Sequence, residues 1–343
     1  MSEKVLEIKD LHVAYRTDDA IVRAVNGLSL SIEAGETVGL VGETGAGKTT
    51  TALSIMKLLP SKIGTVDKGE ILLDGENVLE LGEKKMRLLR GSKVSMIFQD
   101  PMTSLNPTLT VGDQIGEVIK FHEMGLNHKQ IDDKVCQILE MVGIPAGRRD
   151  EYPHQFSGGM KQRVVIAIAL ACKPQLLLAD EPTTALDVTI QAQVLALMKE
   201  LKKKFNTAML LITHDLGIVA QICDKVGIMY AGEIIEFGTV EQIFNHERHH
   251  PYTEGLFGAI PNLRKKEKRL HSIEGMMPDP AELPAGCKFH TRCFMACDKC
   301  KVVPPPLTEV EPGHFVACHF ADTKKVDENG NYLFDVKKTT NAR

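Results

Sequence analysis

Two early stretches, residues 6–15 and 21–30, alternate apolar with polar positions and are rich in β-branched side chains. A period of two predicts antiparallel strands. The pattern then changes. Glu36-Thr-Val-Gly-Leu-Val41 is an apolar run of strand length. Thr50-Thr-Ala-Leu-Ser-Ile-Met-Lys-Leu-Leu59 is apolar at helical spacing and is stopped by Pro60. Short strands are expected at 69–75 and 94–98, and the X-Pro steps between Gln99 and Pro107 predict a loop. Residues 111–141 read as helical, 143–155 as a loop, and 164–172 as a helix apolar on most sides and therefore buried. Leu176-Leu-Leu-Ala179 and Ala208-Met-Leu-Leu-Ile212 read as buried strands. Between them an amphipathic helix runs from Thr189 to about Phe205, with Ile190, Val194, Leu197, Met198, Leu201 and Phe205 on one face. A hairpin over 225–238 turns at Ala231-Gly232. Buried strands alternating with helices define an α/β core, and the strand-rich start and the helical stretch of about 110–172 are additions to it.

Beyond about His246 the alternation stops. Arg264-Lys-Lys-Glu-Lys-Arg269 is a charge run, most simply a solvated face or linker, and 278–284 and 304–306 are rich in proline. The polar end, 321–343, is expected to be frayed. At 343 residues there is room for one large domain with an appendage, or for two domains. A formal charge of −4 gives no basic field for nucleic acid. Charged residues interrupt every apolar stretch short of a membrane span, and Met1-Ser-Glu-Lys-Val-Leu-Glu7 lacks the apolar centre of a leader. The expected location is cytosolic. Work at a membrane would need another chain to supply the membrane part.

Between the strand at 36–41 and the helix at 50–59 stands Gly42-Glu-Thr-Gly-Ala-Gly-Lys-Thr-Thr50, which fits the phosphate-loop pattern at Gly42, Gly47, Lys48 and Thr49. Strand, glycine-rich turn and helix is the arrangement a phosphate needs. Three glycines let backbone N–H groups close around an anion, and the helix N-terminus adds partial positive charge. Lys48 is placed to reach β- and γ-phosphates, and the Thr49 hydroxyl to hold Mg²⁺. A chance glycine turn is the competing reading, and the flanking strand and helix speak against it.

Asp180 and Glu181 follow a buried strand, at the edge of a parallel sheet where ligands bind. Asp180 suits Mg²⁺, and Glu181 suits removal of a proton from an attacking water; an exposed acidic turn is the bland alternative. His214 follows another buried strand and is placed to hydrogen-bond a γ-phosphate, although a lone histidine is more often structural. Gln99, also after a strand, is suited to orient water or touch Mg²⁺. Tyr15 is either a surface aromatic or a ring stacked on adenine. Ser157-Gly158-Gly159 precedes a helix and is either a second phosphate cradle or a plain serine N-cap.

Taken in order, Gly42 to Thr49, Gln99, Ser157-Gly-Gly-Met-Lys-Gln-Arg163, Leu176 to Glu181, Thr184-Ala-Leu-Asp187 and His214 resemble the ATP-binding subunits of ATP-binding-cassette (ABC) transporters, over about residues 5–245. The resemblance implies an α/β P-loop NTPase core with an N-terminal antiparallel β subdomain, an inserted helical signature subdomain and a small Cys-rich C-terminal extension. It implies that the two glycine turns act in trans, between subunits packed head to tail. Carried over, the loop backbone (Gly42, Glu43, Thr44, Gly45, Ala46, Gly47 and Thr50) with Lys48 and Thr49 binds ATP, and Tyr15 stacks on the adenine. Thr49, Gln99 and Asp180 belong to the Mg²⁺ and water site. Glu181 is the general base, aided by Lys48 and Gln99, and His214 is the γ-phosphate switch. Ser157, Gly158, Gly159 and Asp187 meet the nucleotide of the other subunit.

A narrower likeness is carried by Gln99-Asp-Pro-Met-Thr-Ser-Leu-Asn-Pro107, Phe156-Ser-Gly-Gly-Met-Lys-Gln-Arg163, Asp187-Val-Thr-Ile-Gln-Ala-Gln193 and His250-Pro-Tyr-Thr253, which look like the oligopeptide/dipeptide-importer branch. Met160 stands where most signatures have glutamine, and methionine is common there in this branch. The likeness implies an ATPase that drives peptide uptake. Its partners would be a second homologous ATP-binding subunit (a hetero- or homodimer), two integral membrane permease subunits and, indirectly, an extracellular peptide-binding protein. Its place would be peripheral, at the cytoplasmic face of the cell membrane. The loop from Gln99 to Pro107 would touch the membrane subunits. Another cargo (nickel, an opine, a signalling peptide) fits the same cassette, because selectivity lies in other subunits. A soluble ABC-type ATPase usually has two cassettes or a long coiled-coil insertion, and this chain has neither.

Of eight cysteines, Cys136, Cys172 and Cys223 are scattered, while Cys287, Cys293, Cys297, Cys300 and Cys318 crowd together. Four thiolates suit zinc or an iron–sulfur cluster. The branch resemblance points to a [4Fe–4S] cluster on Cys287, Cys293, Cys300 and Cys318. Zn²⁺, with Cys297 competing as a ligand through the two-residue gap of Cys297-Asp-Lys-Cys300, is one alternative, and free thiols or a disulfide are the other. The expected division is 1–245, 246–321 for the Cys-rich extension, and 322–343 for the tail.

Overall fold

The computed structural model of the chain describes residues 3–184, 186–245, 248–259 and 273–321. Ala185, the charge run at 264–269 and the tail from 322 lie outside the described residues. The strands in chain order are β1 (Lys4–Arg16), β2 (Ile21–Glu33), β3 (Thr37–Val41), β4 (Gly64–Leu73), β5 (Glu76–Asn77), β6 (Val94–Ile97), β7 (Leu176–Asp180), β8 (Ala208–Thr213), β9 (Lys225–Tyr230), β10 (Glu233–Thr239), β11 (Thr308–Glu311) and β12 (His314–Val316). They form a four-stranded sheet, β2-β1-β4-β5, and an eight-stranded sheet, β11-β12-β10-β9-β3-β8-β7-β6. The first is antiparallel. In the second, β9, β3, β8, β7 and β6 run parallel, and β10, β12 and β11 continue the sheet antiparallel.

Strands β3, β7 and β8 are buried at every position. A parallel sheet is covered on both faces, so its strands are continuous apolar runs rather than alternating ones. Alternation survives in what each residue packs against. Leu176 and Leu178 face a core shared with Leu6, Ile8, Leu28 and Ile71 of the antiparallel sheet. Leu177 and Ala179 face the opposite core, built with helices Val111–His122, His128–Met141, Gly158–Leu170 and Val188–Phe205. Here are the expected N-terminal β layer and the helical addition, one on each side of the central sheet. Among the described residues no helix is long and apolar enough to cross a membrane.

Some local expectations shift. The helical pattern of 111–141 is two helices. Gly125 breaks it at φ 94°, and Asn127 starts the second helix with a capping box to Gln130. The loop of 99–107 contains a short helical turn, Pro101–Ser104, where the Ser104 hydroxyl donates to the Asp100 carbonyl at 2.6 Å. The strand expected at 69–75 begins at Gly64, because β4 pairs along β1 as far back as Tyr15. The largest difference lies near the C-terminus. The β11–β12 hairpin joins the central sheet through β10, so this extension continues the core. A third apolar cluster sits under it, including Tyr230, Tyr252, Ile243 and Phe289.

Candidate active site

Strand β3 delivers the chain into the glycine loop, and helix Lys48–Ile55 carries it away. At Gly47, φ is 100° and an added Cβ would lie 2.2 Å from the Ala24 carbonyl oxygen, so only glycine fits. The Lys48 side chain is buried. Its Nζ donates to the carbonyl oxygens of Gly42 at 2.6 Å and Glu43 at 2.9 Å. Burial pulls its pKa below the usual lysine value, against the opposing charges of Glu181, Asp180 and Glu43. An ammonium held only by carbonyls gains from exchanging them for phosphate oxygens. Thr44, Gly45 and Thr49 are exposed along the open side of the loop. The Tyr15 hydroxyl lies 3.1 Å from that of Thr50, which puts the ring at the start of the same helix.

Strands β6, β7 and β8 bring the remaining groups to this edge. The Thr49 hydroxyl donates to Asp180 Oδ2 at 2.8 Å. Asp180 is only 2% exposed. Burial pushes its carboxyl pKa up, despite the Thr49 hydrogen bond. A buried carboxylate beside a hydroxyl is an oxygen donor set that a hard cation would complete, so these residues fit Mg²⁺.

Glu181 is where side chains converge. It has φ 45°, in the left-handed region that a non-glycine residue seldom occupies, and its N–H is tied to the Ile212 carbonyl at 2.8 Å. His214 Nδ1 lies 2.9 Å from Oε1. The Thr184 hydroxyl and the Gln99 amide donate to Oε2 at 3.0 and 3.2 Å. Burial would raise the carboxyl pKa, but the hydrogen bonds from His214 and Thr184 bring it below the usual value. Glu181 is therefore an ionised acceptor at neutral pH. Its side chain is 14% exposed, against 68% for His214 at the rim.

Ser157, Gly158, Gly159 and Asp187 make no side-chain hydrogen bond to these groups. The Ser157 hydroxyl accepts the Met160 N–H at 3.4 Å, and Asp187 Oδ1 accepts the Ile190 N–H at 3.0 Å, so each caps its helix. The two helix starts meet at Gly159, where an added Cβ would lie 2.4 Å from Ile190 Cγ2. Among the described residues no hydrogen bond joins this corner to the loop at 42–50.

In the extension, Cys287, Cys293, Cys300 and Cys318 line one small pocket with His290 and His319. No disulfide joins them, and burial raises Cys287 to about 11 and Cys293 to about 12. Four thiols around one cavity are a donor set that fits a Cys₄ group. Cys297 does not line the pocket, though its Sγ is 3.5 Å from that of Cys300. Sequence reasoning missed Thr184 as a Glu181 partner, although it sits in a quoted motif. It also missed Tyr252, Arg292, Glu236, His249 and His314, whose partners lie far away along the chain.

A family model for ABC transporters matches residues 25–184, and one for the C-terminal region of oligopeptide/dipeptide transporters matches 235–300. The dipeptide transport ATP-binding protein DppD of Bacillus subtilis is 48% identical over 324 residues, spanning 94% of this chain and 96% of its own length. The chain belongs to the ABC transporter family. Another ABC relative, the oligopeptide transport ATP-binding protein OppD of Haemophilus influenzae, is 46% identical over 322 residues, covering 93% of this chain and 98% of its own. Among solved structures, the ATP-binding cassette MJ0796, a dimer in a post-hydrolysis state with ADP and Pi, superposes with a TM-score of 0.62 at 26% identity. The match covers 68% of this chain and 98% of that one. The expected ABC ATPase fold is thus the fold of this chain.

Proposed function

We propose that this chain is the ATP-hydrolysing subunit of a membrane importer for di- and oligopeptides. The observation that carries the reading is the convergence of Gln99, Thr184 and His214 on Glu181, at the sheet edge that also presents Lys48, Thr49 and Asp180. A base and a phosphate cradle at one edge make a hydrolytic site. Likeness over nearly the whole chain to dipeptide and oligopeptide transport ATP-binding proteins supports peptides as the cargo class.

In this reading the backbone of Gly42, Glu43, Thr44, Gly45, Ala46 and Gly47, with Thr50, wraps the ATP phosphates, and Lys48 leaves its two carbonyls to bind them. Tyr15 stacks on the adenine. Thr49, Asp180 and Gln99 would hold Mg²⁺, which when bound neutralises charge developing on the phosphoryl group. Glu181 takes the proton of the attacking water. His214, exposed at the rim and bonded to Glu181, reports the γ-phosphate to the base. Ser157, Gly158, Gly159 and Asp187, which make no hydrogen bond to the loop of their own chain, serve the nucleotide of a second homologous subunit. The dimer formed by the related cassette MJ0796 supports that arrangement. Two permease subunits and an extracellular peptide-binding protein complete the importer, with this chain at the cytoplasmic face of the membrane. Cys287, Cys293, Cys300 and Cys318 hold a [4Fe–4S] cluster, for which their shared pocket is the support, and Zn²⁺ is the alternative. Bound there, the group staples a segment poor in apolar residues.

Glu181→Gln keeps the shape and removes the base. It should retain MgATP binding in the assembled transporter and slow phosphate release at least about 100-fold. Turnover at the unaltered rate would overturn the assignment.

A further inference from the structure

The phosphate loop is not held by the core alone. Glu43, its second residue, is gripped by two side chains of the C-terminal extension. The Arg292 guanidinium donates through Nη1 to Oε2 at 2.8 Å and through Nη2 to Oε1 at 3.1 Å. The Tyr252 hydroxyl accepts the Glu43 backbone N–H at 3.0 Å. These partners are 249 and 209 residues away in sequence, so no local rule of chain folding brings them here.

Both partners are themselves fixed. The Arg292 side chain is 5% exposed. Its Nε donates to the Glu274 carbonyl at 3.1 Å, and its guanidinium lies 5.8 and 5.9 Å from the ring centres of Tyr230 and Phe289. Tyr252 is fully buried and packs on the same two rings. From inside the loop, Lys48 holds the Gly42 and Glu43 carbonyls. When Lys48 turns to phosphate, the grip of Tyr252 and Arg292 on Glu43 remains.

Charge gives the grip a second purpose. A glutamate in a loop that wraps a triphosphate sets a carboxylate beside a polyanion. The charge of Glu43 already acts on Lys48, so it is felt at the phosphate position. A buried, two-pronged arginine is the group best suited to cancel it.

We propose that Arg292 and Tyr252 are positioning residues of the nucleotide site, clamping Glu43 and cancelling its charge so that the extension is a working part of that site. The proposal rests on the reading of Gly42 to Thr50 as the ATP phosphate loop. The test is calorimetric titration of the full chain with MgATP, at low and at high salt. Lys48→Ala checks the underlying reading and should abolish measurable binding. Arg292→Met keeps the apolar stem and frees the Glu43 carboxylate. It should weaken binding about tenfold, and less at high salt. Arg292→Lys should recover most of the loss. The double variant Arg292→Met with Glu43→Gln should bind within about threefold of the unaltered chain, which no purely structural role of Arg292 would produce. Tyr252→Phe should weaken binding about threefold.

If Lys48→Ala binds normally, the loop assignment fails. If Lys48→Ala fails to bind but Arg292→Met and Tyr252→Phe bind normally, the clamp is wrong. If the double variant is as weak as Arg292→Met, charge cancellation is wrong. Should Arg292→Met not fold, Arg292→Gln, which also removes the charge, and Tyr252→Phe decide the matter, with weakened binding in both expected. Normal affinity in either would overturn the proposal.

Discussion

Strands β7 and β8 are buried by apolar side chains along almost their whole length, whereas β10, nearer the other end of the same sheet, carries the fully buried carboxylate of Glu236. That carboxylate accepts from His249 Nδ1 at 2.7 Å, His314 Nε2 at 3.0 Å and the His250 backbone N–H at 2.8 Å. An ionised glutamate has no proton to give, so both imidazoles must donate. The ligand atoms of Glu236, His249 and His314 lie within 4.8 Å of one another, a spacing a metal could use, but the imidazole nitrogens facing Glu236 already bond to it. One end of the sheet is thus held by apolar burial, which is non-directional and spread over many contacts. The other is held by a few directional bonds, by aromatic rings and by a pocket of thiols. The first should absorb single changes, and the second should depend on particular atoms.

The sharpest way to break that contrast is at the thiols. With the proposed [4Fe–4S] cluster on Cys287, Cys293, Cys300 and Cys318, Cys293→Ser should abolish bound iron, from about four atoms per chain to none, and open 273–321 to protease, with the 176–213 region still protected. Cys297→Ser should keep the metal. Metal analysis and limited proteolysis check both, and an extension equally resistant without Cys293 would erase the distinction. Next comes the polar junction. Glu236→Gln leaves two buried imidazoles facing an amide and should cost about 3 kcal/mol in urea unfolding. A cost below about 0.5 kcal/mol would make this end as forgiving as the other. The smallest effect is that of acid. Burial alone would raise the pKa of Glu236, but the hydrogen bonds from His249 and His314 hold it near about 2, against an ordinary 4.5. The carboxylate's contribution is therefore complete above about pH 4.5 and is lost as pH falls toward about 2. By pH 4 about 1 kcal/mol should be gone, and Glu236→Gln should lack this part of the acid sensitivity.

The same contrast decides what could be read from the sequence. The loop of Gly42 to Thr50, the strands ending at Asp180 and Thr213, and the caps Ser157 and Asp187 are local patterns, and each lies where its neighbours in sequence put it. The break between helices at Gly125 was not read, although Asn127 and Gln130 spell a capping box there. Arg292 gripping Glu43, and His314 reaching Glu236 across 78 residues, had no local signature. Nor did the pairing of β12 with β10. Three-residue β12 and four-residue β11 are too short to show a period, and the sheet they join supplies their order.

That hairpin also covers the outer side of β10. Along β10, Glu236 and Phe237 pair with Val316 and Phe315 of β12. A chain cut before residue 308 would lose that partner and present bare N–H and C=O groups to any strand of another molecule. Among the described residues that end of the sheet closes instead with β11, four residues long and carrying Glu309 and Glu311. So short an edge is a poor template for pairing with another strand.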